Sequence, residues 1–117
     1  MANEIKELFG SSTALTITIA SLASSTTGVG QQSDVVDNTT DRFGKILLYC
    51  RICVGTTPTA NRTIRFYLIR VDNDGSTPHR SDGAGASNAG FTVKNAIPIG
   101  TIFVDVTTSN LDYYGEF

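Results

Sequence analysis

Two uninterrupted runs of strand-forming residues constrain this chain more than anything else in it. They are Lys45-Ile46-Leu47-Leu48-Tyr49-Cys50-Arg51-Ile52-Cys53-Val54 and Arg62-Thr63-Ile64-Arg65-Phe66-Tyr67-Leu68-Ile69-Arg70-Val71. Both are rich in β-branched, aliphatic and aromatic residues and contain no Gly or Pro, the residues that interrupt strands. Side chains alternate across a strand, so Ile46, Leu48, Cys50, Ile52 and Val54 share one wholly apolar face. The opposite face mixes Lys45, Leu47, Tyr49, Arg51 and Cys53. In the second run Ile64, Phe66 and Leu68 match the apolar face, and Arg65, Tyr67, Ile69 and Val71 the mixed one. The link Gly55 to Asn61 is too long for a two-residue turn and suits a projecting loop. A hairpin with one purely apolar face must bury it against a second sheet. The expectation is an all-β, antiparallel β-sandwich of jelly-roll type.

The chain has 117 residues, enough for one domain that folds without a metal or disulfide. Residues 1–12 read as an N-terminal arm and 13–117 as the sandwich domain. In the arm, Asn3 caps a short helical turn that sets Ile5, Leu8 and Phe9 on one side. A helix this short is unstable alone, so it docks on its own domain or on a neighbour. Leu15, Ile17 and Ile19 alternate with Thr16 and Thr18, which predicts a half-buried strand over 14–22. Residues 23–34 read as a solvated loop, Val35 to Asn38 as a short strand, and Asn38 to Asp41 as a turn. The Gly-, Ser- and Asn-rich stretch 72–90 fits no regular element. Phe91 to Val93 suggests a short strand. A longer one follows from Ile97, with Ile102, Val104 and Val106 inward, Thr101, Phe103, Asp105 and Thr107 outward, and Pro98 at its start or on an edge. The aromatic tail Leu111 to Phe117 begins another strand; either this tail docks firmly, or the sandwich is incomplete and borrows from a partner.

Charge and cysteines narrow the functional classes. The net charge is −2, yet the arginines gather between residues 41 and 80. They either pair with acidic neighbours across a sheet, with Asp105 a candidate, or form a basic face. Tyr49, Arg51, Arg65 and Tyr67 could combine aromatic and basic groups on one face, as single-stranded nucleic acid requires; the negative net charge argues against that partner. Cys50 and Cys53 point to opposite faces of one strand and cannot bond to each other. A lone C-x-x-C within a strand reads as two small buried hydrophobes, and unpaired thiols favour assembly in a reducing cytoplasm. Met1 to Phe9 carries Glu4 and Glu7 and lacks the apolar core of a signal peptide. No run is long enough for a membrane helix.

No chemistry-bearing constellation emerges. His79, the single histidine, has neither a ligand set nor a nucleophile motif around it. Asp72-x-Asp74-Gly75 lacks the bidentate Glu of a calcium loop. Gly28 and Gly30 make only G-x-G, not a dinucleotide loop. The expectation is a protein that is not an enzyme and holds no cofactor and no metal.

The opening run from Met1 through Ser24, with Val35-Val36-Asp37-Asn38-Thr39-Thr40, resembles small β-rich virion accessory proteins of tailed bacteriophages, of the capsid decoration or cement type. The resemblance covers about the first 45 residues, and those relatives run on past the position of Tyr113 and Tyr114. It implies a structural virion protein, a trimer clamping neighbouring subunits of the major capsid protein or other virion subunits, with no cofactor. The residues expected to bind partners are Ile5, Leu8, Phe9, Arg51, Arg65, Tyr67, Tyr113 and Tyr114. Two other readings stay open: a tail, head-tail junction or fibre component, and a carbohydrate-binding module stacking sugars on Tyr49, Tyr67, Tyr113 and Tyr114.

Overall fold

The computed structural model describes residues 10–19, 22, 26–40, 42–73, 78–80 and 90–117. The expected arm helix with Ile5, Leu8 and Phe9 lies outside them. Among the described residues the chain is all-β with no helix. Its strands are β1 (Val29–Gln31), β2 (Tyr49–Cys53), β3 (Arg62–Leu68), β4 (Val71–Asn73), β5 (Pro78–Arg80), β6 (Gly90–Thr92), β7 (Ile97–Val104) and β8 (Asp112–Glu116). They pair antiparallel into four two-stranded ribbons, β1–β6, β2–β8, β3–β7 and β4–β5.

The two dense runs do form strands, but they do not pair with each other. β2 takes β8 as its partner and β3 takes β7, so the expected hairpin is corrected to two ribbons closed by distant segments. Like charges disfavour that hairpin. A symmetric hairpin around residues 55–61 would set Arg51 directly opposite Arg65, and like charges in that position are destabilising. In the observed register Arg51 faces Tyr114, and Arg65 faces Thr101.

Local patterns fare unequally. β7 runs where the alternation placed it, with Ile102 and Val104 buried. Its second residue, Pro98, stands opposite Tyr67 beside a register shift that leaves Ile99 unmatched; a residue without an N–H belongs at such an irregularity. The turn after Asn38 is present. Asn38 Oδ1 accepts from the Phe43 N–H at 2.8 Å, its Nδ2 donates to Phe43 O at 2.9 Å, and Arg42 takes φ 53°. By contrast, residues 14–19 and 35–38 form no strand. Thr16 is tied to Asp34 by two bonds, its N–H donating to Oδ1 at 2.8 Å and its carbonyl accepting from the Asp34 N–H at 3.0 Å. Leu15, Ile17 and Ile19 stay exposed. Alternation prepares a segment for a sheet; an available edge makes it a strand. The stretch 72–90, expected to be irregular throughout, contributes to β4 and holds β5 and the start of β6, and β1 arises in the expected loop 23–34.

The two larger ribbons meet at the tail. Leu48 and Phe117 exchange backbone hydrogen bonds of 2.9 Å each way, which extends the β2–β8 pairing by one residue pair. The Phe117 ring packs on Phe66, centroids 5.0 Å apart and planes tilted by 38°. It also lies directly over Gly100, where any Cβ would overlap the ring. A Cβ at Gly115 would come within 2.8 Å of the ring and 3.0 Å of the Cys50 sulfur. Two glycines thus make room for one aromatic ring, and the tail docks on this domain. Cys50 is half-buried here while Cys53 is exposed. The expectation of two buried cysteines holds for neither in full, because Cys53 belongs to the outward face.

Candidate functional site

The outward face of β2–β8 gathers the most chemically distinctive side chains among the described residues. Counting in twos from the register, Tyr49, Arg51 and Cys53 share it with Asp112, Tyr114 and Glu116. Tyr49 and Tyr114 are diagonal neighbours across the pair, within reach of long side chains. Their ring centroids lie 6.3 Å apart with the planes tilted by 37°. They are 65% and 58% exposed, although aromatic rings of this size usually supply much of a domain's buried area.

Arg51 and Asp112 are the second diagonal pair. Arg51 Nη2 donates to Asp112 Oδ2 at 2.6 Å, a charge-assisted contact. The hydrogen bond and the attraction of that guanidinium hold the Asp112 carboxyl below its ordinary range, and the same contact raises Arg51. The arginine side chain is 63% exposed. A guanidinium carries five N–H donors, so most of the Arg51 fork stays open to solvent. Asp112 Oδ1 is buried without a hydrogen-bond partner, and the facing Cys53 thiol donates to Val54 O at 3.6 Å instead.

The expected partner-binding residues separate under this geometry. Arg51 and Tyr114 come together. Tyr113 belongs to the other face of β8, where its hydroxyl donates to Asp105 Oδ1 at 2.9 Å; burial first, and then this bond to a carboxylate, push its pKa up. Asp105 therefore engages a tyrosine, and the carboxylate that neutralises an arginine is Asp112. Arg65 is exposed on β3 and Tyr67 is half-buried there, opposite Pro98. Both stand in the other ribbon, so the expected face of Tyr49, Arg51, Arg65 and Tyr67 does not form. Tyr49 and Asp112 lie outside the expected partner-binding set. Only the non-local pairing of β2 with β8 joins them to Arg51 and Tyr114.

Several large apolar side chains are exposed outside that face. Ile46 and Leu47, just before β2, are 70% and 72% exposed, and Val35, Val36 and Phe103 are exposed as well. The loop that follows β2 is held by the turn before β8. Ser109 Oγ donates to Thr56 O at 2.6 Å, and the Asn110 N–H donates to Gly55 O at 3.2 Å, with Asn110 at φ 57°. No family model, curated protein or solved structure matches the chain.

Proposed function

We propose that this chain is a structural virion protein of a tailed bacteriophage, a capsid decoration protein that stabilises the head by binding between capsid subunits. One observation carries the reading beyond the resemblance of the N-terminal third. Among the described residues, large apolar side chains, Ile46 and Leu47 above all, remain in solvent beside strands that pair two by two. Exposed apolar surface of this kind marks interaction sites, and two-stranded ribbons are marginal in water without further packing. A subunit of an assembly meets both needs at once, because its neighbours cover what it leaves open.

In this reading the ribbons complete a jelly-roll-like β-sandwich, the chain forms trimers, and the arm with Ile5, Leu8 and Phe9 reaches the capsid. Modest affinity at each site suffices, since a lattice of sites multiplies it. Electron microscopy of purified virions carrying a labelled copy tests the reading. Label at regular positions on the shell supports it. Label confined to the tail, neck or fibres moves the protein to those parts, and absence from the virion ends the proposal.

A further inference from the structure

We propose that the outward face of β2–β8 binds a neutral oligosaccharide, with Tyr49 and Tyr114 as its stacking platform and Arg51 as its hydrogen-bond donor. This goes beyond the structural role above and does not depend on it.

The composition of the face selects the ligand. Tyr49, Arg51, Cys53, Asp112, Tyr114 and Glu116 include no aliphatic side chain. Tyr and Arg are common at protein interfaces, but Asp and Glu are depleted there, and this face lacks an aliphatic centre. A pyranose ring suits it. One side of the sugar presents C–H groups that lie on an aromatic face, and its edge presents hydroxyls that need donors and acceptors. The tyrosines give two exposed rings with centroids 6.3 Å apart and two hydroxyls that both donate and accept. The exposed Arg51 fork gives donors in a fixed plane, and Asp112 holds it in place through the 2.6 Å contact. Asp112 is thus a positioning residue, while Glu116, opposite Tyr49, adds an acceptor.

Charge decides between saccharide classes. The face sets one positive group, Arg51, against two negative ones, Asp112 and Glu116. A polyanion, whether nucleic acid or an acidic glycan, would meet net repulsion there, because such ligands bind through unpaired cations. A neutral chain meets none.

The test uses the full chain and defined probes: cellohexaose, mannohexaose and chitohexaose as neutral ligands, and a sialylated oligosaccharide and oligothymidylate as anionic ones. Binding is followed by calorimetry and by the ring signals of the tyrosines. The expected result is saturable binding of at least one neutral hexasaccharide that perturbs Tyr49 and Tyr114. Tyr49→Leu and Tyr114→Leu keep apolar bulk but remove the aromatic face, and each should weaken binding about tenfold, the loss expected for an aromatic contact near the top of its range. Arg62→Ala, exposed in the other ribbon, should leave it unchanged. Failure of all three neutral probes at millimolar concentration overturns the proposal. So does affinity that survives both tyrosine substitutions, or binding confined to the anionic probes.

Discussion

The two faces of the β2–β8 ribbon are built from the same two strands, yet they have opposite physical characters. Inward, Phe117 settles over Gly100 and Gly115 and against Phe66, beside the half-buried Cys50. Outward, two tyrosines and an arginine remain largely in solvent, the rings paired with each other and the arginine with Asp112. Residues without a Cβ let the inner face close, while rings and charges keep the outer face open. A one-residue slip of either strand would exchange the two sets. The burial of Ile52 and Phe117 therefore fixes where Tyr49, Arg51 and Tyr114 stand, and the candidate site inherits its geometry from the core behind it.

The inner face offers the largest effects with which to break this comparison. Phe117→Ala should cost about 2–3 kcal/mol, somewhat under the usual range for a fully buried phenylalanine, because Phe117 is half-buried. Gly100→Ala should cost about 1–2 kcal/mol, since its new methyl must displace the Phe117 ring. The two should not add. In Gly100→Ala/Phe117→Ala the ring that the methyl would strike is gone, so the glycine's share of the loss should largely vanish. Urea denaturation of the four proteins closes the cycle. Strict additivity would mean that the ring is not seated on Gly100.

How much of this could be read beforehand differs between the faces for a definite reason. β7, the turn at Asn38 and the tail strand carry their signals locally, in alternation, an Asn side chain bonding its own loop, and a run of aromatics. The ribbon partners carry none. Arg51 and Asp112 are 61 residues apart, and nothing near either residue in sequence names the other. The dense runs suggested the nearest partner, and the opposed arginines of that hairpin were a local mark against it. The segment 14–19 errs in the other direction, since its alternation was plain but Thr16 is engaged with Asp34 rather than with a sheet edge. For the site, Arg51 and Tyr114 were legible as candidates by type. Their assembly with Tyr49 and Asp112 was not, because it exists only through register.

The ion pair on the outer face should have a smaller effect, and one that depends on pH. Asp112 titrates below the ordinary carboxylate value in the fold because of Arg51. A depressed carboxylate contributes stability above its unfolded value, about pH 4, and that contribution is lost as pH falls through the lowered folded value. Asp37 is lowered as well, by the backbone N–H of Thr39 that it accepts, so the acid limb of the whole protein reports more than one group. Comparison with Asp112→Asn isolates the pair. The wild type should be slightly the more stable at about pH 7, the two should converge at about pH 2, and added salt should shrink the neutral-pH gap. A difference that persists unchanged in acid would show that Asp112 acts by shape rather than by charge.

The smallest effect is the one on which the contrast depends most. Tyr49→Leu and Tyr114→Leu should each change stability by no more than about 0.5 kcal/mol, the range of surface substitutions away from packed features. The two rings are largely exposed and their centroids lie 6.3 Å apart, so a double-mutant cycle should give a coupling at the low end for aromatic pairs, about 0.5 kcal/mol. A cost well above 1 kcal/mol for either single change would place that ring in the packing of the domain and erase the difference between the faces. If both remain near zero while Phe117→Ala does not, the outward tyrosines are held in solvent by a register that the inner face maintains. Large aromatic rings kept in water without contributing to the fold are then available to a ligand.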